Sequence, residues 1–376
     1  MTSTLPPAAA ALLAVGCLLA ACAPAARTTD AAPPASAGPA AAAVASAPAG
    51  LPRPMAMEPG ERHLTNVRQL TDGGENAEAY FSADGTRLIF QSARDGRTCD
   101  QQYVMNVDGS GLRRVSNGQG KTTCGYFYDE DRRVFFASTH AADSACPARP
   151  DPSQGYVWGI DPFDIYTANP DGSDLRRLTN YGTYTAEGVL SPDGRTIVFT
   201  SLKDGDLDIY TMSVDGTNVR RLTSTPGYDG GPWWSPDGTK IVWRAHHPTD
   251  SAELAAYRRL LDQRMIRPNR MELFVMNADG SDQRQITRLG GANFGPTWTP
   301  DGRRILFSSN HRNPRSRNFD LYLVDLDGTG LEQVTTHEEF DGFPMFSRDG
   351  RHLVWASNRH ASNAGSTNIF VADWVE

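Results

Sequence analysis

The sequence has no long hydrophobic run and no excess of basic residues, and each absence excludes a class of protein. Its longest apolar segment, residues 8–21, covers about 14 residues, whereas a membrane-spanning helix needs about 20, so a multi-span membrane protein is excluded. Acidic residues outnumber basic ones by 44 to 36, which argues against nucleic acid as a partner. Hydrophobic residues make up 39% of the chain, too many for a disordered polyampholyte.

Familiar catalytic motifs are also missing. There is no Gly-x-Ser-x-Gly nucleophile elbow, no His-Glu-x-x-His zinc motif and no dinucleotide-binding glycine fingerprint. Residues 118–122, GQGKT, hint at a phosphate-binding loop, but Val115 stands where that loop needs glycine, and no helix is predicted to follow. The sequence therefore favours a binding protein over an enzyme, and no cofactor is expected from these motifs.

The N-terminus is predicted to direct export. Residues 8–21 are small and apolar, and the segment ends in LAAC at residues 19–22, which resembles the lipobox of bacterial lipoproteins. This resemblance implies a signal peptide over residues 1–21, acylation of Cys22 and, because Ala23 follows, retention at the outer membrane of a cell with two membranes. The alternative is an ordinary secretory signal cleaved after residue 21 or 26.

The next segment, residues 22–60, is rich in alanine and proline and holds almost no bulky side chains. Such a segment cannot bury enough apolar surface to fold. It is predicted to be a disordered tether that carries a folded domain over residues 61–376.

The folded domain is built from a repeat whose first element is a Ser-Pro-Asp-Gly turn followed by an apolar run. Complete and weaker copies of this turn begin at Ser82, Tyr128, Ser191, Ser235, Thr299 and Ser347. A second Asp-Gly turn follows in the repeat, and Asp-Gly between apolar runs is a strong hairpin signal because glycine accepts positive φ. Each repeat therefore predicts four antiparallel strands, named a to d in chain order, and six repeats predict an all-β, six-bladed β-propeller.

The two ends of the domain predict how the ring closes. The last repeat stops after its strand c, NIFV at residues 368–371. The missing strand d is found at the other end, because NVRQLT at residues 66–71 matches DLRRLT at residues 174–179. The N-terminal strand is therefore predicted to complete the last blade and to leave no open sheet edge there.

These motifs resemble a known family. The Ser-Pro-Asp-Gly hairpin, the Asp-Ile-Tyr strand at residues 208–210 and the Arg-Leu-Thr strand are similar to the WD40-like repeat of the TolB-like β-propellers. The resemblance covers residues 61–376 and implies a periplasmic protein of the cell envelope that acts by binding. The α/β domain that precedes the propeller in TolB is replaced here by the predicted tether, so a Tol–Pal role does not follow. A monomer is expected, with an envelope protein or ligand as partner and membrane contact only through its lipid anchor.

Strand order predicts that the loops separate onto two faces. The a–b and c–d turns, nearly all short Asp-Gly hairpins, lie on one face, here named the plain face. The b–c and d–a loops lie on the other, here named the elaborated face, which carries insertions at residues 141–162 in blade 2 and 247–269 in blade 4. Extra length on one face indicates the binding side.

The blade 4 insertion is predicted to contain a helix. Leu254, Tyr257, Leu261 and Met265 recur at helical spacing, and Asp250 stands in front of them as the N-cap. In one interpretation this helix packs on the rim of the propeller, and in the other it is a lid or a docking element for a partner.

Three cysteines are expected on the elaborated face, namely Cys99, Cys124 and Cys146. In an exported protein two of them should form a disulfide and one should remain free. The sequence does not determine which two pair.

One set of candidate site residues directly follows strand b in each blade. Its members are polar and mostly basic: Arg94, His140, Lys203, His246, His311 and Arg359. Their basic character favours a ring that binds an anionic ligand. The alternative is a metal-dependent lyase or hydrolase acting on a sugar or peptide, in which His140, His246 and His311 bind a divalent metal.

A second set lies near the start of strand a and is expected at the mouth of the central channel. Its members are Glu78, Glu187, Asp229, Asn293 and Asp341. These side chains either bind a ligand or hydrogen-bond the loop backbone. Taken together, the sequence predicts a non-enzymatic binding protein of the cell envelope that uses its elaborated face.

Overall fold

A computed structural model describes residues 50–361, 363 and 365–376. The predicted signal peptide, Cys22 and most of the predicted tether lie outside these residues. Two strands, β1 (Arg53–Pro54) and β2 (Leu64–Gln69), precede the first blade. Blade 1 consists of β3 (Glu75–Phe81), β4 (Arg87–Ala93), β5 (Gln101–Asn106) and β6 (Arg113–Arg114).

Blades 2 and 3 follow with the same order of strands. Blade 2 consists of β7 (Thr122–Tyr128), β8 (Arg133–Ser138), β10 (Asp164–Ala168) and β11 (Arg176–Arg177), with a 3-10 helix (Pro152–Gln154) and β9 (Trp158–Gly159) inserted after β8. Blade 3 consists of β12 (Thr185–Leu190), β13 (Thr196–Ser201), β14 (Asp208–Ser213) and β15 (Arg220–Arg221).

Blades 4 to 6 complete the ring. Blade 4 consists of β16 (Tyr228–Trp234), β17 (Lys240–His246), β19 (Glu272–Asn277) and β20 (Arg284–Gln285), with α1 (Ser251–Leu261) and β18 (Met265–Ile266) inserted after β17. Blade 5 consists of β21 (Asn293–Trp298), β22 (Arg304–Ser309), β23 (Asp320–Asp325) and β24 (Glu332–Gln333). Blade 6 contains β25 (Asp341–Phe346), β26 (His352–Ser357) and β27 (Asn368–Trp374).

The predicted closure of the ring is confirmed. Strand β2 pairs antiparallel with β27, with Leu64 opposite Trp374 and Gln69 opposite Phe370. Strand β1 adds a fifth, outermost strand to this sheet, because Arg53 lies opposite Gln69. Strand β1 therefore belongs to the sheet of blade 6, although it precedes residue 61, where the folded domain was predicted to begin.

The repeated turn explains why the blades form. In blade 3, the Ser191 hydroxyl donates to the Asp193 carboxylate at 2.5 Å and accepts from the Thr196 N–H at 3.0 Å. Asp193 also accepts from the Arg195 N–H, and Gly194 adopts φ of 74°. The Ser-Asp pair thus satisfies the backbone of a tight turn that only glycine enters without strain.

The apolar run after each turn forms the core. Its third residue is aromatic in every blade and at most 1% exposed: Phe90, Phe136, Phe199, Trp243, Phe307 and Trp355. Large buried side chains at one equivalent position pack the blades against each other and fix the ring.

The predicted helix of blade 4 is confirmed as α1. Asp250 caps it by accepting from the N–H groups of Ala252 and Glu253, both at 2.8 Å. The helix ends at Leu261, one turn earlier than the spacing suggested, and Met265 lies in strand β18 instead. In the part of the chain that the structure describes, no helix combines the length and apolarity needed to cross a bilayer.

Candidate functional site

The two insertions of the elaborated face join each other. Strand β9 from blade 2 pairs antiparallel with β18 from blade 4, with Trp158 opposite Ile266, and the Ile160 N–H donates to the Arg264 carbonyl at 2.7 Å. The insertions therefore form one structure that bridges blades 2 and 4. The sequence predicted both insertions but gave no sign that they pair.

A disulfide ties blade 1 to the same structure. It joins Cys99, in the b–c loop of blade 1, to Cys146, in the blade 2 insertion, with their Cα atoms 5.9 Å apart. Cys124 is the free and buried cysteine of the three. The disulfide links the blade 1 loop to the blade 2 insertion, and the β9–β18 pair links that insertion to the one in blade 4.

Beneath these loops lies a central cavity of about 1060 Å³. It opens between the b–c and d–a loops, so it belongs to the elaborated face. Its wall is rich in aromatic side chains from the insertions, the strands and the loops directly before strands: Tyr80, Tyr156, Trp158, Phe163, Tyr184, Trp233, Phe294, Phe319, Phe340 and Phe343. The aromatic content gives the cavity a mostly apolar surface, and charged side chains of both signs also line it: Glu75, Glu78, Asp100, Lys121, Glu187, Arg244, Arg267, Arg315 and Arg317.

A ring of six equivalent residues surrounds the cavity, one from each strand a. Each ring residue sits where the register of strands a and b shifts, and each has φ between 50° and 59°: Glu78, Cys124, Glu187, Gly231, Gly295 and Phe343. All six line the cavity. A β-bulge re-aims side chains, and glutamate or phenylalanine in this left-handed conformation costs about 1 kcal/mol relative to glycine.

The ring divides the cavity into two halves. Blades 1 to 3 contribute Glu78, Cys124 and Glu187, whereas blades 4 to 6 contribute two glycines and Phe343. The apolar half is extended by Phe294, whose ring centroid lies 5.4 Å from that of Phe343 and 4.7 Å from that of Phe319. At the level of the ring, a bound ligand would therefore meet carboxyl groups on the side of blades 1 to 3 and the Phe294 and Phe343 rings on the other, while Arg315 and Arg317 of blade 5 also line the wall.

Glu187 is held by a buried arginine. Arg244 forms an ion pair with Glu187 and donates to the Tyr228 hydroxyl at 2.7 Å, while the Gly231 N–H donates to Glu187 at 2.9 Å. The Arg244 guanidinium lies 5.3 Å from the centre of the Trp158 ring. Through this cation–π contact the insertion rests on the charged wall of the cavity.

Glu78 has a different environment. The Thr123 hydroxyl lies 3.5 Å from its carboxylate. Burial raises the pKa of Glu78 to about 7, and the negative charge of Glu187 adds to this effect although Cys124 and Arg244 oppose it. Burial and the neighbouring Glu78 also raise the pKa of the Cys124 thiol, which keeps it protonated at neutral pH. Glu78 can therefore gain or lose a proton near neutral pH inside the cavity.

Three of the five predicted channel-mouth residues lie inside the blades instead. Asp229 accepts from the Trp243 indole N–H at 2.6 Å, and Asp341 accepts from the Trp355 indole N–H at 3.1 Å. Asn293 donates to the Met271 carbonyl at 2.7 Å. All three are fully buried. Asp229 and Asp341 brace strand a within its own blade, whereas Asn293 joins strand a of blade 5 to the start of β19 in blade 4. Glu78 and Glu187 are the two that reach the cavity.

The six residues that follow strand b do not form a shared surface. His140 lies against Tyr166 with ring centroids 4.3 Å apart, His311 lies 4.6 Å from Tyr322, and Lys203 lies 4.9 Å from Tyr210. The remaining members are held by local polar partners, since Arg94 donates to Asn76, His246 contacts Glu253 and Arg359 pairs with Glu61 and Asp341. The cavity wall does not include these six residues. Their side chains pack along their own blades, and this geometry does not support an anion-binding ring.

The predicted histidine metal site is also not assembled. Among residues 50–361, 363 and 365–376, one group of three metal-binding side chains brings its ligand atoms within 4.8 Å of one another, and it consists of Glu58, His337 and His360. His140, His246 and His311 belong to different blades and bond Ser138, Glu253 and Ser309, respectively. Equivalent positions in a propeller are separated by whole blades, so a shared position in the repeat does not bring side chains together.

Two residues of the candidate site, Arg244 and Trp158, were not predicted as site residues, although the sequence carries a signal for Arg244. Arg244 occupies the position in strand b where the other blades have Gln91, Ala137, Thr200, Ser308 and Ala356. A charged residue at a strand position that is neutral in every other blade marks an unusual site. Trp158 has no equivalent, because it lies in an insertion that the other blades lack.

Comparison with known proteins agrees with this architecture. Residues 159–259 match the family model of the TolB β-propeller domain. A putative TolB from Agrobacterium tumefaciens superposes with a TM-score of 0.53 at 19% identity, over 81% of this chain and 91% of that chain. TolB from Acinetobacter baumannii superposes with a TM-score of 0.51 at 15% identity, over 80% of this chain and 63% of that chain, which is less than two thirds of its length. The predicted six-bladed β-propeller fold is confirmed, and residues 159–259 are similar to the TolB β-propeller domain.

Proposed function

We propose that this TolB-like β-propeller is a binding protein of the cell envelope that captures its ligand in the central cavity of the elaborated face. The observation that carries the proposal is the cavity of about 1060 Å³ beneath the joined insertions. Concave, mostly apolar cavities with a few convergent polar groups are typical ligand sites. The strained Glu78 and Glu187 add support, because such backbone conformations concentrate at functional sites.

The shape and chemistry of the cavity favour a segment of a larger envelope molecule as the ligand. Tyr156 is 51% exposed at the rim, and its hydroxyl accepts from the Trp158 indole N–H at 3.0 Å. Tyrosine and tryptophan are enriched at recognition surfaces for proteins, and here Tyr156 is exposed while Trp158 is partly buried beside it. Below them, the aromatic half of the cavity suits an apolar side chain, and the half formed by Glu78 and Glu187 suits a hydrogen-bond donor.

Export to an oxidising compartment is part of this proposal. The disulfide between Cys99 and Cys146 favours such a compartment, and the LAAC motif at residues 19–22 favours an acylated Cys22 and an outer-membrane anchor. We expect Cys22→Ser to move the protein from the membrane fraction to the soluble fraction and to abolish incorporation of labelled palmitate. Equal fractionation and labelling of both proteins would contradict the anchor.

Site-specific photo-crosslinking in intact cells tests the binding function. A photoreactive amino acid replaces Tyr156 at the rim of the cavity in one variant and Leu331 in another. Leu331 is a matched control, because it is 41% exposed but lies beside a c–d turn of the plain face. We expect one dominant adduct from position 156 and none from position 331.

The adduct is identified by mass spectrometry, and its partner is purified for a direct binding measurement. A Trp158→Ala variant should bind that partner at least tenfold more weakly while its melting temperature stays close to that of the native protein. Equal adducts from both positions, or unchanged affinity of Trp158→Ala, would overturn the proposal.

Acid–base catalysis on a sugar or peptide is the second candidate. The observation that favours it is Glu78, whose pKa is raised to about 7 by burial and which shares the cavity with Glu187. Cleavage of cell-envelope polysaccharide or peptide by the native protein, lost in Glu78→Gln, would support an enzyme. Binding without cleavage would leave the binding protein as the function.

A further inference from the structure

We propose that Glu58, His337 and His360 form a binding site for a divalent transition metal, with zinc as the expected ion, that fastens the N-terminal segment to blades 5 and 6. Glu58 lies between β1 and β2, His337 lies in the loop between β24 and β25, and His360 lies in the loop between β26 and β27. This site is separate from the central cavity and does not depend on the proposed function.

The distances suit a single ion. The Glu58 Oε1 atom lies 3.4 Å from His360 Nε2 and 3.9 Å from His337 Nε2, and the two imidazole centroids are 5.1 Å apart. Bonds of about 2.0 to 2.2 Å to a tetrahedral zinc ion place its ligand atoms about 3.3 to 3.6 Å apart. All three ligand atoms lie within 4.8 Å of one another, so side-chain rotations that close the group by about 1 Å bring them into coordination.

The donor set also suits zinc. Two imidazoles and one carboxylate are established ligands for zinc, and they leave a fourth position for water. The side chains are partly accessible, with 26% of Glu58, 17% of His337 and 42% of His360 exposed. An ion can thus enter from solvent without opening the fold.

Neighbouring contacts hold the three segments in place independently of any ion. The Thr336 hydroxyl donates to the Pro59 carbonyl at 3.0 Å, and the Thr336 N–H donates to Glu61 at 3.1 Å. Arg359, next to His360, donates to Glu61 at 2.8 Å. Each proposed ligand is therefore adjacent to a residue that is already fixed, and little chain entropy is lost when the ion binds.

One local bond must change when the ion binds. The Glu339 N–H donates to His337 Nδ1 at 3.1 Å, so the ring proton lies on Nε2 in the metal-free protein. Coordination through Nε2 moves that proton to Nδ1 and releases the Glu339 N–H. Glu339 is exposed, so water can satisfy the released N–H group.

A bound ion would stabilise the closure of the ring. The three ligands come from the chain before β2 and from two loops near the other end, and they meet only after β2 has paired with β27. A ligand that binds the folded state and not the unfolded chain raises the melting temperature by mass action. Zinc should therefore stabilise the folded propeller.

Zinc titration of the metal-free full chain, purified without a polyhistidine tag, tests the site. We expect isothermal titration calorimetry at pH 7.5 to give one zinc ion per chain with micromolar or tighter affinity and zinc to raise the melting temperature. His337→Ala, His360→Ala and Glu58→Gln should each weaken binding at least tenfold and abolish the rise. His352→Ala is the matched control, because His352 pairs with Asp373 away from the site and its loss should change neither result.

Two further readouts distinguish a variant that has lost a metal-binding side chain from a variant that is misfolded. Without metal, the three site variants should melt within a few degrees of the native protein. Cobalt(II) should give a visible absorption band of a four-coordinate site in the native protein and in His352→Ala, but not in the site variants. Absence of zinc binding, or zinc binding that the site variants retain, would overturn the proposal.

Discussion

The plain face and the elaborated face of the propeller are built on different principles. The plain face repeats one hairpin, in which a hydroxyl and a carboxylate satisfy the turn, as Ser191 with Asp193 and Ser235 with Asp237. The elaborated face depends on contacts that occur once, such as the β9–β18 pair and the Arg359 ion pairs. Repeated contacts spread stability over the ring, whereas single contacts shape the cavity and the closure.

The largest stability effect is expected at a single contact. Arg359 is 1% exposed and pairs with Glu61 and Asp341, so Arg359→Ala leaves two buried carboxyl groups without their partner. We expect it to lower the free energy of unfolding in urea by about 3 to 5 kcal/mol. Arg351→Ala on the plain face is the control, because that side chain is 82% exposed, and its change should stay below about 0.5 kcal/mol. Similar losses for both variants would erase the distinction between the faces.

The disulfide is the second single contact. Cys99 and Cys146 are 47 residues apart, so replacing both by serine should lower the free energy of unfolding by about 2 to 4 kcal/mol. Reduction of the native protein with dithiothreitol should produce the same loss. A double variant as stable as the oxidised native protein would show that the loops of blades 1 and 2 hold together without the bond.

The polar half of the cavity predicts a pH effect. The pKa of Glu78 is raised by burial to about 7, above its value in the unfolded chain, so the folded protein prefers the protonated form. The stability contributed by that protonated group is present at low pH and is lost as pH rises from about 4.5 to 7. Glu78→Gln stays neutral, so it should be more stable than the native protein at pH 8 by roughly 3 kcal/mol and equal to it near pH 4. A constant difference between the two proteins across this range would contradict a buried, protonated Glu78.

The smallest effect is expected at a repeated turn. Asp193→Ala removes the acceptor for the Ser191 hydroxyl and the Arg195 N–H, which should lower the free energy of unfolding by about 1 kcal/mol. Asp237→Ala in the next blade should cost the same, and the double variant should show the sum because the turns are independent. Unequal or strongly coupled losses would indicate that the plain face is not a set of equivalent units.

The sequence was sufficient to predict what repeats. Six turns predicted six blades, the match between residues 66–71 and 174–179 predicted the closure, and Asp250 predicted the start of the helix. These features depend on local backbone preferences and on burial with a regular period, which a single sequence records directly.

The sequence was insufficient where contacts join segments without a repeat. The pairing of Trp158 with Ile266 depends on how two insertions fold over the ring, and the choice of Cys99 and Cys146 depends on their separation in space. Alignment of the repeats also suggested that His140, His246 and His311 could share a ligand. In the structure each packs on its own blade, because equivalent positions in a ring are kept apart by the blades between them.

The affinity of the partner recovered by crosslinking tests the central claim most directly. It is measured for the native protein, for Trp158→Ala at the cavity and for Asp193→Ala on the plain face. We expect the dissociation constant to rise at least tenfold for Trp158→Ala and to stay unchanged for Asp193→Ala. Unchanged binding by Trp158→Ala, or weaker binding by Asp193→Ala alone, would contradict a binding site on the elaborated face.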